Sequence, residues 1–489
     1  MNSVKYLINS LFGVAVLLFF GLAYPQHLHY QEQYQLFLFD STYVWEIVKH
    51  PGGIADLLGR FCTQFFLYAW VGAFIIALLL SAIQFLLWLV ISRLSPPSQS
   101  SPIAPSSRLP LTSNLVYGLT FAPSFLLWLF LLDENALLSG VWAVLLTLLV
   151  VRAISKFTSG SKLFTLHSSL IILFAIPILY FLVGPVCLPI PVDSLWSGIH
   201  YYRYPTVFPW LLWGAALSVF MLILAVLIFR RFNSGSKLFS LRFSLFTFLL
   251  TAVIMGSLVW KNANFKAEKV MQYDFMARHQ QWNRILETIN AEKPNNQIGV
   301  TVQNLAMAMH GMLLDHMFEY NQNGIAGLLP DVKTDATSPL PTAEAFYQLG
   351  MINVAQRTVF EAQEAILDFQ KSGRCYKRLA ETNLINGQYE VARKYLEALQ
   401  KTLFYREWAN ETLPLLGNEE AIAQHPEYGR LRQWAYRDDF YFSDHTTPEM
   451  LESLYSRNPD NRMAYQYLLA YYMLTGDRER FQQFMSKKQ

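Results

Sequence analysis

The sequence predicts an all-α protein in two parts. A polytopic bundle of transmembrane helices fills residues 1–260, and a soluble helical-repeat domain fills 261–489. Three observations carry this. The chain of 489 residues is 53% hydrophobic and only 15% charged, with a mean hydropathy of +0.24, whereas an ordinary soluble domain is about 25% charged. The charge is stepped: residues 1–260 hold 13 Lys+Arg and 7 Asp+Glu, and residues 261–489 hold 25 and 28. In the second part, apolar residues recur at helical spacing in paired segments and strand alternation is nearly absent. The apolar content excludes intrinsic disorder. Neither part has the concentrated basic face that nucleic-acid binding needs, so no nucleic-acid partner is expected.

A helix needs about 20 mainly apolar residues to cross the hydrocarbon core. Seven runs qualify, at 6–24, 64–91, 114–132, 136–151, 163–183, 208–229 and 243–260. The fourth is short and is lengthened by Leu131 and Leu132. With the N-terminus in the cytoplasm, the inner segments carry Lys5, Arg93, Arg108, Arg152, Lys156, Lys162, Arg230, Arg231, Lys237 and Arg242, and no acid. The outer loops carry three bases (Lys49, Arg60, Arg203) and all seven carboxylates. This is the positive-inside bias, and seven crossings then place 261–489 outside. The expected location is a bacterial inner membrane, with the C-terminal domain in the periplasm. Lys261, Lys266 and Lys269 follow the last crossing and open a large domain, where the bias weakens. The first run also has the Lys5 and Gly21-Leu22-Ala23 features of a signal peptide. Its apolar stretch of about 18 residues exceeds the usual h-region and favours an uncleaved anchor.

Two inner turns repeat. Phe157-Thr-Ser-Gly-Ser-Lys-Leu-Phe-Thr-Leu matches Phe232-Asn-Ser-Gly-Ser-Lys-Leu-Phe-Ser-Leu, with a fainter third copy at Ser107-Arg108-Leu109. Gly and Ser permit the tight turn and the base anchors it to headgroups, which reads as repeated hairpins. A phosphate loop would need more glycines and a preceding strand. The crossings offer Gln84, Ser81 and an interfacial His167 rather than buried ionisable groups, so transport is the weakest reading.

The first outer loop, 25–63, is too long for a connector. Ile54, Leu57, Leu58 and Phe61 fall at i, i+3, i+4, i+7, the pattern of an interfacial helix, and Tyr34 to Val48 reads likewise. Loop 184–207 is rich in Pro, Trp and Tyr, as a headgroup belt is. The histidines His27, His29 and His50 read as solvated loop residues, because no Cys or tight carboxylate completes a metal set. Cys62, Cys187 and Cys375 are too few for a disulfide framework. Cys62 and Cys187 share the outer side, which leaves a disulfide between them open.

The long outer loop with two surface helices and carboxylates resembles membrane glycosyltransferases of the GT-C type. The resemblance implies that Glu32 and Asp40, with Asp133 and Glu134 in the next outer loop, are candidate catalytic carboxylates. They would act as base or hold a divalent cation beside a lipid-linked sugar donor. The departures are the missing acidic pair in the first loop and the low number of crossings. Asp133-Glu134-Asn135 also reads as a helix start. Apart from that conditional cation, no cofactor or metal is expected.

In the second part, Tyr376, Leu379, Ala380, Gly387, Tyr389, Ala392 and Leu396 match the spacing of a tetratricopeptide repeat, with Asn383 where a Tyr is usual. Pro459, Tyr465, Leu468, Tyr472 and Gly476 form a second match, with Phe481 where a small residue is expected. Degenerate pairs precede them, one around Asp274 to Asn290 and one at Tyr347 to Ala362, and 321–340 reads as a loop. Such arrays present a concave face to a peptide or helix.

The stretches HPGGIADLLGRFCTQFF (50–66), YQLGMINVAQRTVFEA (347–362) and RLAETNLINGQYEVARKYLEALQKTLFYREWA (378–409) resemble an uncharacterised family of bacterial polytopic membrane proteins with an outward helical-repeat domain. The resemblance implies that architecture and no activity. The leading expectation is therefore a scaffold. It would have the bilayer and a periplasmic or membrane protein as partners, with oligomeric state left open. A GT-C-like transferase is second and a transporter third.

Overall fold

A computed structural model describes residues 2–94, 112–157, 182, 186, 209–229, 241–331, 338–366, 370–436 and 447–486. Every regular element among them is helical. The repeated turns at 158–166 and 232–240, the faint copy at 107–109, nearly all of 163–183 with His167, and 187–207 with Cys187 lie outside the described residues. The chain forms two units. Unit 1 comprises Met1–Gln31 and Ser41–Phe265, and unit 2 comprises Glu32–Asp40 and Lys266–Gln489.

Unit 1 contains α1 (Asn2–Leu18), continued by a wider π turn at Phe19–Ala23, then α2 (Pro25–Glu32), α3 (Ser41–Val48), α4 (Gly53–Thr63) and α5 (Ala69–Leu94). It continues with α6 (Thr112–Leu119), α7 (Ala122–Phe130), α8 (Leu138–Phe157), α9 (Trp210–Phe229) and α10 (Leu241–Asn262). Among the described residues, two helices are long and apolar enough to cross a membrane, Val4–Ala23 and Ala69–Ser92. Shorter apolar helical stretches lie within Val116–Phe130, which is broken at Thr120-Phe121, and over Leu138–Ala153 and Trp210–Val226.

Two of the expected spans are built differently. Residues 64–67 form a separate 3-10 turn, so the second long helix starts at Ala69 and not at 64. The run 114–132 is not one helix. It breaks at Thr120-Phe121 and restarts with Pro123 in the first turn of α7, the place where a residue without an N–H is tolerated and before which a helix tends to stop. Polar side chains on both sides of the break bond the neighbouring long helix. Gln84 Nε2 donates to Thr120 Oγ1 at 2.9 Å, and Ser124 Oγ donates to the Leu80 carbonyl at 2.8 Å. Around this seam Phe20, Ile76, Leu80, Ile83 and Leu87 form a dry core.

The expected surface helix over Tyr34 to Val48 is only half formed. Ser41–Val48 is helical, and 35–40 has no regular structure. In α4, the Asp56–Arg60 pair closes one turn at 2.8 Å. A Cβ on Gly59 would lie 2.6 Å from the Ser139 nitrogen, so α4 meets the start of α8 backbone to backbone. Gly59→Val is therefore expected to cost about 1–3 kcal/mol through overpacking. The readout is a lowered melting temperature of the detergent-solubilised chain, and an unchanged one would refute the close approach. His27 is buried rather than solvated. Its Nε2 lies 2.9 Å from the Leu131 carbonyl and its ring stacks on Tyr24. Burial pulls its pKa down to about 4 against that hydrogen bond, so the ring is neutral and Nε2 donates.

Unit 2 is a run of paired helices. α11 (Phe265–Arg278) pairs with α12 (Trp282–Glu292), and α13 (Gln297–Met309) leads into the short α14 (Leu313–His316). Next come the pairs α15 (Pro339–Leu349) with α16 (Ile352–Ala365) and α17 (Gly373–Ile385) with α18 (Tyr389–Gln400). Shorter helices α19 (Arg406–Thr412), α20 (Glu419–Gln424) and α21 (Tyr428–Trp434) follow, then α22 (Thr447–Arg457), α23 (Arg462–Thr475) and α24 (Arg478–Ser486). Side-chain caps start several of them: Asn296, Ser372, Asn418 and Asn461 each accept from the N–H three residues on.

The residues singled out by spacing have packing roles. Leu379, Ala380, Ala392 and Leu396 are buried, and Tyr376 meets Tyr395 edge-on at 5.1 Å. Gly387 adopts φ +77° and turns α17 into α18. Tyr389 bonds Glu419 and Arg432. Asn383 departs from the pattern because it is a hydrogen-bonding residue here: its amide donates to the Leu379 carbonyl at 2.6 Å and accepts from Gln356 at 3.0 Å. Pro459 lies in the turn between α22 and α23, Leu468 and Tyr472 are buried, Tyr465 packs on Tyr455, and Gly476 closes α23. The first part of the loop 321–340 is pinned. Asn321 and Asn323 donate to the carbonyls of Lys293 and Asn295, and Gln322 exchanges hydrogen bonds with Asn304.

Candidate functional site

The most unusual feature of unit 2 is the segment Glu32–Asp40, which enters it from far away in sequence. Its backbone bonds loop carbonyls at the edges of the α17–α18 pair. Leu36 N–H donates to the Lys371 carbonyl at 2.8 Å, and Phe39 N–H donates to the Lys401 carbonyl at 2.7 Å. The Leu36 side chain is buried in a cluster with Ala380, Leu396, Leu399, Tyr405 and Ala409.

Charge flanks this apolar contact. At the buried end, Tyr405 Oη donates to Glu32 Oε1 at 3.1 Å and accepts from Arg278 at 3.0 Å. Arg374 donates to Gln33 Oε1 at 3.1 Å and grips both oxygens of Asp274 at 2.6 and 2.8 Å. Burial pushes the Glu32 carboxyl above the usual carboxylate range, and Arg278, the Tyr405 hydroxyl and Arg374 pull it back down. Burial also opposes the charge on Arg278, but Tyr405, Glu32 and Asp274 outweigh it and its pKa is raised. At the open end, Lys401 Nζ meets Asp40 Oδ2 at 2.7 Å.

A second buried charge cluster lies between α15 and α17. Arg378 bonds Glu344 at 2.6 Å and Glu381 at 2.8 Å, and its guanidinium lies 3.6 Å from the centre of the Tyr347 ring. Both clusters contain a buried ion pair, Arg374 with Asp274 in the first and Arg378 with Glu344 and Glu381 in the second. Such pairs specify geometry and give little net stability, but they are costly to break.

Of the four candidate catalytic carboxylates, Glu32 and Asp40 belong to unit 2 and have different partners. Asp133 belongs to unit 1, where its Oδ1 accepts from the Asn135 N–H at 2.8 Å, and Glu134 stands in the same turn. Among the described residues, no group of three or more His, Cys, Asp or Glu is placed to hold a metal ion. Cys375 is buried behind the Ser372 cap, and burial pushes its thiol up to about 11; it is an inert packing residue. Sequence reasoning passed over Gln33, Leu36, Arg278, Arg374 and Tyr405. No local signal marks them: Arg278 is the last residue of α11 and Arg374 lies in the first turn of α17.

A family model matches residues 1–489, the whole chain. The chain belongs to the family of unknown function DUF6057. No curated protein and no solved structure matches it. In this DUF6057 chain, the matched length includes both units and the residues 32–40 that join the second.

Proposed function

We propose that the protein is an inner-membrane scaffold. Seven helices, with the N-terminus inside, hold a tetratricopeptide-like domain in the periplasm, and that domain binds a periplasmic or membrane protein in envelope assembly. The observation that carries the reading is the segment Glu32–Asp40. Unit 2 holds a stretch of largely irregular chain by backbone hydrogen bonds and buried side chains, Leu36 among them, which is how repeat domains recognise peptides. Apolar side chains exposed in rows on the two long helices favour a lipid environment for unit 1: Leu7, Leu11, Leu18 and Leu22 on the first, and Trp70, Phe74 and Leu78 on the second. The sugar-transferase reading needs available carboxylates. Glu32 and Asp40 are held by Tyr405 and Lys401, and Asp133 accepts from the Asn135 N–H in its own turn; no observation favours it.

The test is crosslinked affinity purification of the intact chain from membranes. A defined protein should co-purify and be lost when 266–489 is deleted. Recovery of the chain alone would refute the scaffold. A reporter active only in the periplasm, fused after Gln489, should be active.

A further inference from the structure

We infer that the groove beside the α17–α18 pair is an exchangeable peptide site, and that residues 32–40 are its resident ligand. The partner would dock through a segment of the same chemistry: an acidic residue, a leucine-like residue four positions on, and a second acid four positions after that. This deepens the scaffold reading and rests on it.

The argument is chemical. Glu32, Gln33, Leu36 and Asp40 meet side chains of Lys266–Gln489 through hydrogen bonds, an apolar cluster and an ion pair. Among them Glu32, Leu36 and Asp40 lie at even spacing. The pocket is lined by small and aliphatic residues, Ala380, Ala409, Leu396 and Leu399. It selects size and apolarity rather than one side chain's shape. The main-chain bonds go to the carbonyls of Lys371 and Lys401, which lie outside helices, and any backbone N–H can satisfy them. Lys401 pairs with Asp40 at one end; at the other, Arg278 reaches Glu32 through the Tyr405 hydroxyl, and Arg374, itself paired with Asp274, donates to Gln33. Nothing in this set requires that the peptide come from the same chain. A tethered segment has a high effective concentration, on the order of mM for a short flexible link, so the resident ligand sets a threshold that only a well-matched or locally concentrated partner passes.

The experiment uses the full chain in detergent and a fluorescent peptide with the sequence of residues 31–41. In the Leu36→Asp variant the resident segment loses its apolar anchor. The peptide should then bind at least about tenfold more tightly than to the unaltered chain, because burying one Leu side chain is worth roughly that factor or more. A peptide carrying the same Leu-to-Asp change should not bind. Absence of binding to a variant that retains the parent's helical signal and melting transition overturns the inference. Hydrogen exchange on the unaltered chain keeps the inference falsifiable if that variant fails to fold. The amides of Leu36 and Phe39 should exchange through an opening that leaves the amides of Leu384 and Leu396 protected. Equal protection at all four would make the segment a fixed part of the core and overturn the inference. The two proposals fail separately. A co-purifying protein that excess peptide does not displace leaves the scaffold standing and removes the groove. Peptide binding without any co-purifying protein does the reverse.

Discussion

Replacing Arg374 with alanine is expected to destabilise unit 2 by about 3–5 kcal/mol, the cost of leaving a buried partner charge uncompensated. Both members of the pair are largely shielded, with the side chains 7% and 12% exposed for Arg374 and Asp274. The substitution also removes the donors that reach Gln33 and the Leu340 carbonyl. Chemical denaturation of the solubilised protein, followed by circular dichroism, should show the loss. The double substitution Arg374→Met with Asp274→Leu should restore most of it, because replacing both charges removes the desolvation cost along with the attraction. A loss below about 1 kcal/mol in the single variant, the scale of an exposed pair, would show that the pair is solvated.

Arg378→Ala should cost a similar amount, about 3–5 kcal/mol at pH 7, and its effect should depend on pH. Arg378 separates two carboxylates, Glu344 and Glu381. Burial raises the pKa of Glu381, and Arg378 is the largest attraction opposing that rise, ahead of Lys377. A carboxyl whose folded pKa lies above its unfolded value favours the fold when protonated, and that contribution is lost as pH rises through the folded pKa. Without Arg378 the pKa of Glu381 rises further. The variant should therefore be closest to the parent near pH 5 and furthest from it near pH 7. Denaturation midpoints measured across that range decide the matter, and a gap that does not change with pH would place the loss in the Tyr347 stacking contact.

The all-helical character was legible because it rests on local periodicity. α18 shows this well: Ala392, Leu396 and Leu399 fall on one face, and all three are buried. Turns set by one residue were legible too, as with Gly387 and Gly476. What stayed hidden depends on partners remote in sequence. Residues 35–40 carry aromatic and aliphatic side chains that suit an amphipathic helix, yet their backbone bonds go to Lys371 and Lys401. His27 looks like a solvated loop residue until the Leu131 carbonyl and the Tyr24 ring are placed beside it. The break at Thr120-Phe121 was signalled by Pro123, but hydrophobicity summed over a window does not register one missing N–H. For the candidate site, Glu32 and Asp40 stood out as acids in an outer loop. Their partners, Tyr405 and Lys401 in the turn after α18 and Arg278 at the end of α11, look ordinary in their local sequence, and only the fold brings them to the acids.

The borrowed segment also sets an order of events as the chain is made. Glu32 leaves the ribosome long before Tyr405, which lies 373 residues further on. Unit 2 cannot close over Leu36 until α17, α18 and α19 exist. Contacts of such long range are slow to form because the closure entropy comes before any reward. A fragment beginning at residue 266 would have the α17–α18 pair without the leucine that fills its pocket. An expressible version of unit 2 would have to carry residues 32–40 on a flexible leader, and its gain in solubility over the bare fragment would report how far the repeat array relies on them.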